Sequence, residues 1–162
     1  MFNRTSRGRV GRILALAGLV FGSAAFMSSA FAGECPADKV KAYVREPVNF
    51  PATGVTDTVL ATIDLAKEPI MAAGRMQRVR KLVIQPGGIV PWHSHDDRPA
   101  LIYVIDGQIN EYNSNCSVPI LHKAGDVARE TRGTSHWWKN LGDQTVTLLS
   151  FDILHDQSDH NM

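Results

Sequence analysis

Past residue 32, no stretch of this chain carries an apolar stripe of helix length, and what recurs is short β-branched runs cut by glycine- and proline-bearing turns. Thr58 to Leu65 has the composition and partial alternation of a strand, and Val79 to Ile84 reads as a second one stopped by Pro86-Gly87-Gly88. Leu101 to Ile105 is a third, and Asp106-Gly107 reads as the turn of a hairpin leading into Gln108 to Tyr112. The long apolar run from Thr145 to Leu154 is expected to be one central strand. The only helix candidate, Asp64 to Met76, has an imperfect stripe of Leu65, Ile70 and Met71, and Pro69 and Gly74 argue for a loop or a broken turn. The expected class is therefore all-β, a sandwich or barrel.

Residues 1–32 read as an export signal: Arg4, Arg7, Arg9 and Arg12 precede an apolar run from Ile13 to Phe26, and Ala30-Phe31-Ala32 offers the small-residue cleavage site. That run is shorter than the roughly 20 residues a spanning helix needs, so no membrane anchor is expected after cleavage. Residues 33–162 should then form a single domain in the periplasm or outside the cell. Four of the seventeen basic residues and none of the sixteen acidic ones leave with the signal, so thirteen stand against sixteen, a net of −3. The remaining basic residues are scattered and not interleaved with aromatic ones, which argues against nucleic acid as a partner. Cys35 and Cys116 both survive processing into an oxidising compartment and are expected to form a disulfide.

In extended backbone, residues i and i+2 point to one side, so the imidazoles of His93 and His95 can reach a single ion. His136 offers a third, beside Trp137-Trp138. Neutral imidazoles suit Fe, Ni, Cu and Zn, and an open, mixed site also accepts Mn.

These residues carry a resemblance. Gly87, five residues, His93-Ser94-His95, four residues, Ala100, six residues, Gly107 is similar to the first motif of the cupin superfamily, and Gly125, Thr131, Gly133, His136 and Asn140 to the second. The resemblance implies a cupin-like double-stranded β-helix, or jelly-roll barrel, with His93, His95 and His136 holding a divalent metal. Two positions depart from the pattern. The motif proline falls on Thr131, a turn position, and the motif glutamate, a ligand in many members, falls on Ala100. Asp96, Asp97 and Glu111 are the available substitutes, and Asp97, just past His95, is the preferred additional ligand. The alignment also implies that the Ala100 Cβ faces the ion, so that a glutamate introduced there would strengthen metal retention.

Around this site, Arg98 is expected at the barrel mouth, where a guanidinium would favour a carboxylate-bearing small molecule. Trp92, Trp137 and Trp138 are candidates to line the entrance, and adjacent tryptophans cannot both face inward on a strand. Tyr103 should point to the face opposite Ala100. The functional expectation is an exported metal-binding protein: a three-histidine dioxygenase acting on a small organic acid, a non-catalytic periplasmic small-molecule or metal-binding protein, or an isomerase of cupin type. A homodimer formed through an exposed sheet face is the expected assembly.

Overall fold

The structure is a computed structural model that describes residues 33–155. The expected signal, at residues 1–32, lies outside the described residues. Eight strands are present: β1 (Thr53–Asp64), β2 (Met76–Ser94), β3 (Ala100–Asp106), β4 (Gln108–Asn113), β5 (Ile120–Lys123), β6 (Val127–Glu130), β7 (Ser135–Lys139) and β8 (Val146–Leu154). The only helical pieces among the described residues are the 3₁₀ turns Ala37–Lys39 and Leu65–Lys67. Every ladder between these strands is antiparallel, in the order β5-β4-β7-β2-β8-β3-β6, with β1 added against β2. No helix of the described residues is long and apolar enough to cross a membrane.

Two corners of this barrel differ from the sequence reading. Pro86-Gly87-Gly88 does not end a strand, because β2 continues through it, pairing β8 with its first half (Met76 to Ile84) and β7 with its second (Ile89 to Ser94). Gly88 makes this possible, since a Cβ there would lie 2.7 Å from Ile84 Cγ2 and 2.8 Å from the Gln85 carbonyl. Asp106-Gly107 is not a hairpin turn either. β3 pairs with β6 and β8, whereas β4 pairs with β5 and β7, so the chain changes neighbours at Gly107. Gly107 has φ +82° and packs on Val146, where a side chain would meet Thr145 O and Val146 Cγ2 at 3.0 Å. The result is one long antiparallel ribbon wound over itself, β2 against β7 and β8 and β3–β4 against β6–β5, closed at the β4–β5 connection. This is the double-stranded β-helix. Thr145 to Leu154 does supply a central strand, β8, held between β2 and β3.

Alternation along each strand fills the interior. On β8, Val146, Leu148, Ser150, Asp152 and Leu154 are buried while Phe151 and Ile153 are exposed. Across the sheet, Leu82, Leu148 and Val104 form one inward row; Arg80, Ser150, Ile102 and Ala128 form the next; Arg78, Asp152, Ala100 and Glu130 form the last. The interior is thus apolar at one end and ionic at the other. On the outer face Leu101, Tyr103 and Phe151 remain exposed, with Tyr103 opposite to the buried Ala100.

The expected disulfide is present: Cys35 and Cys116 are bonded across a sequence separation of 81 residues. It ties the segment before β1 to the β4–β5 connection, beside a bridge between Val40 and Cys116. Closing a loop of that length is worth nominally about 4 to 5 kcal/mol in chain entropy. A disulfide of this kind points to an oxidising compartment.

Candidate metal centre

His93, His95, His136 and Glu130 gather at the ionic end of the barrel, their ligand atoms all within 4.8 Å of one another. A local irregularity in β2 makes this possible. Val90 pairs with Trp138, and His93 with His136, so β2 carries one more residue than β7 between the two pairs. Without that bulge, a spacing of three would put Val90 and His93 on opposite faces; with it, both point inward. His136 and Trp138 then follow at the i, i+2 spacing of an ordinary strand, and both are buried.

The three imidazoles share one arrangement. His93 Nδ1 lies 2.9 Å from Pro91 O, His95 Nδ1 lies 2.7 Å from Arg98 O, and His136 Nδ1 lies 2.7 Å from Glu111 Oε1. In the tautomer where each Nδ1 donates its proton to that oxygen, each Nε2 carries a bare lone pair; at His136 the Trp138 indole Nε1 also lies 3.2 Å from Nδ1. Those lone pairs converge: His136 Nε2 is 3.0 Å from His95 Nε2 and 3.2 Å from His93 Nε2. Two unprotonated nitrogens at such separations repel, so these contacts are not hydrogen bonds but the outline of a cation site. Glu130 adds an anionic oxygen, its Oε2 2.8 Å from His95 Nε2, and its buried Oε1 has no hydrogen-bond partner. The donor set fits a divalent metal.

Electrostatics follow the same logic. Burial holds His93 well below the usual imidazole range, and the neighbouring His136 and His95 add to the effect. At His136 burial opposes the charge, but the Glu130 and Glu111 carboxylates outweigh it and raise its pKa, so a proton and a metal ion compete for its Nε2. Burial would raise Glu111 too, yet His136 and His122 hold its carboxyl far below the usual carboxylate range. Glu111 Oε2 accepts from His122 Nε2 at 2.8 Å, so a buried chain of His122, Glu111 and His136 runs behind the cluster and fixes the ring that faces it.

The remaining expected residues divide. Asp97 is not in the cluster: it is exposed and bonded to the Arg75 guanidinium at 2.6 Å. The carboxylate sequence reasoning missed is Glu130, the direct ladder partner of Ala100 and on the same inward face. Arg98 does not stand at the mouth. It is buried, with its Nε 4.0 Å from Asp152 and its carbonyl serving His95. Of the adjacent tryptophans, Trp138 is buried and stacks on His122, whereas Trp137 lies on the other face, stacked on Tyr112 with centroids 4.0 Å apart. Trp92 is half-buried.

Beside the cluster is a cavity of about 30 Å³, lined by His93, His95, Glu130 and Trp138 and, on the opposite wall, by Arg80, Ser150, Ile102 and Leu148. That space holds about two or three waters, or one molecule of similar size.

Residues 80–152 match the model of the cupin domain family. A protein of Thermotoga maritima described as an oxalate-binding protein is 30% identical over 90 residues, 56% of this chain and 71% of its own length. An uncharacterized conserved protein with a double-stranded β-helix domain from Klebsiella pneumoniae superposes with a TM-score of 0.50 at 23% identity, covering 68% of this chain and 82% of that one. The cupin domain of Schizosaccharomyces pombe Cnp3 gives a TM-score of 0.48 at 15% identity, over 64% of this chain and 63% of that one. On its motifs, its barrel and its relatives, the chain belongs to the cupin superfamily.

Proposed function

We propose that this protein is an exported, metal-dependent binder of a small organic acid, with His93, His95, His136 and Glu130 as the ligands of the ion. The observation that carries the reading is the convergence of three Nε2 lone pairs whose tautomers are fixed by Pro91 O, Arg98 O and Glu111. Four protein ligands leave an octahedral ion two positions, and these suit a bidentate carboxylate. The ion would supply positive charge and open coordination there; the chain supplies orientation and a narrow cavity. Both the cavity's size and the relative named for oxalate binding support an acid of two or three carbons.

An oxidation in which a bidentate substrate and dioxygen both bind the ion needs three open positions. The fourth ligand, Glu130, takes one of the positions a three-histidine centre would keep free, and this favours capture over oxidation. Mn, Fe, Ni and Zn all suit a set of three imidazoles and one carboxylate. Export rests on residues 1–32 and on the disulfide, which suits the periplasm or the extracellular space.

The test is metal analysis of the mature protein after equilibration with Mn, Fe and Zn, followed by calorimetric titration of loaded and stripped protein with oxalate. About one ion per chain, and oxalate heat in the loaded protein alone, is the expected result. A wild-type protein that retains none of these ions would sink the reading.

A further inference from the structure

Arg80 is the one guanidinium that lines the same cavity as the metal cluster. Its side chain is only 8% exposed and its hydrogen bonding is lopsided. Nη1 is paired with Asp57. The other edge is barely used: Nε has no hydrogen-bond partner, and Nη2 reaches only Ser150 Oγ and Asp152 Oδ2, each at 3.4 Å. Those contacts exceed the 2.7–3.2 Å of a good bond. Arg78, on the same face of β2, shows what a filled edge looks like, with Nε 3.0 Å and Nη2 2.7 Å from the two oxygens of Asp152. A buried N–H left without an acceptor costs about 1–3 kcal/mol, more on a charged group, so the open edge calls for an explanation.

We propose that the Nε–Nη2 edge of Arg80 is a second anchoring point of the cavity, receiving in bidentate fashion the carboxylate oxygens of a small dicarboxylate whose other oxygens face the His93–His95–His136–Glu130 cluster. This rests on the metal-dependent reading above and assigns its ligand a second acidic group. The fork geometry suits a carboxylate, whereas an amide at the same place would turn an NH₂ group towards a donor that has nothing to accept. Charge points the same way. Arg78, Arg80 and Arg98 stand against Asp57, Asp152, Glu130 and Glu111 at this end of the barrel, three against four, so a divalent ion leaves a net positive charge that favours an anionic ligand over a neutral one. The apolar walls, Leu82, Val90, Ile102 and Leu148, offer no other charge to such a ligand.

The experiment uses zinc-loaded mature protein, with zinc content measured first so that failure of the metal site is seen separately. Oxalate and oxamate, which differ by one carboxylate-to-amide change, are titrated calorimetrically into wild type and Arg80→Lys. Lysine keeps the charge and loses the fork. Wild type should prefer oxalate at least tenfold, and in Arg80→Lys that preference should collapse to about twofold while zinc content stays unchanged. Wild-type protein that holds zinc but binds both ligands alike overturns the proposal, as does a folded Arg80→Lys protein with the wild-type preference. Since Arg80 also holds Asp57, folding of the variant is checked by circular dichroism; if it fails to fold, the wild-type comparison decides alone.

Discussion

The two halves of β2 face one interior with opposite electrostatic designs. The Met76 to Ile84 half brings in Arg78 and Arg80, whose charges are answered by carboxylates on neighbouring strands, Asp152 on β8 and Asp57 on β1. The half that begins at Ile89, with the loop after it, brings in His93 and His95, whose Nε2 lone pairs meet only other lone pairs and one carboxylate. A charge matched from within the chain holds a fold together. Donor atoms that converge on one another mark a place suited to an ion. Arg80 sits at the border, matched on one edge and open on the other.

The widest contrast is expected from one substitution in each half's partner set. Asp152→Ala strands the Arg78 charge in the interior and should cost about 3–5 kcal/mol of folding stability, read by denaturant titration. His136→Ala should cost less stability yet abolish metal retention against a chelator. If Asp152→Ala proves nearly neutral, or if His136→Ala keeps its metal, the division between a self-matched half and a ligand-seeking half fails.

A smaller effect tests the groups behind the cluster. Glu111→Gln keeps the size of the side chain but removes the anion that orients His136, and should weaken metal binding about 10–100-fold. It also carries a pH signature in metal-free protein. The Glu111 carboxyl is depressed in the fold, so its charge contributes stability that is fully present above the unfolded-state value of about 4.3 and is lost as pH falls through the folded value. The gap in Tm between wild type and variant should therefore be widest near neutrality and shrink in acid. A gap independent of pH would assign Glu111 a packing role only.

The smallest expected effect reverses what the motif alignment alone implies. Ala100 is the ladder partner of both Glu130 and Asp152, so a glutamate there would lie between two carboxylates. Ala100→Glu should leave chelator resistance unchanged or lowered by a few fold. A clear gain in metal affinity would mean that Glu130 is not the ligand.

Much of this was legible in the sequence, and the misses share a cause. The short runs gave the class, the His93-Ser94-His95 spacing gave one side of the site, and two cysteines left one pairing. Asp106-Gly107 was a correct turn signal with the wrong consequence, since local chemistry specifies a change of direction and not which strand lies alongside. Pro86-Gly87-Gly88 misled in the opposite sense, because the residues that usually stop a strand here let it bend. Glu130 was hidden for a different reason: alternation with Ala128 places it on an inward face, but only the pairing of β3 with β6 brings that face beside Ala100. Arg98 looked like a surface charge because its counterpart, Asp152, lies at the far end of the chain.

The crossing at Gly107 also shapes the order in which the molecule can assemble. Among the strand pairs, β1 with β2 and β4 with β5 join segments near in sequence, while β2 with β7 and β8, and β3 with β8, close long loops and come at a higher entropic cost. The cluster draws on the end of β2, the loop after it, β6 and β7. It therefore exists only once the slow pairings are complete. An ion bound there should have little hold on the transition state for folding, so the expectation is a folding rate nearly untouched and a slower rate of unfolding, lengthening the lifetime of a barrel that has already closed.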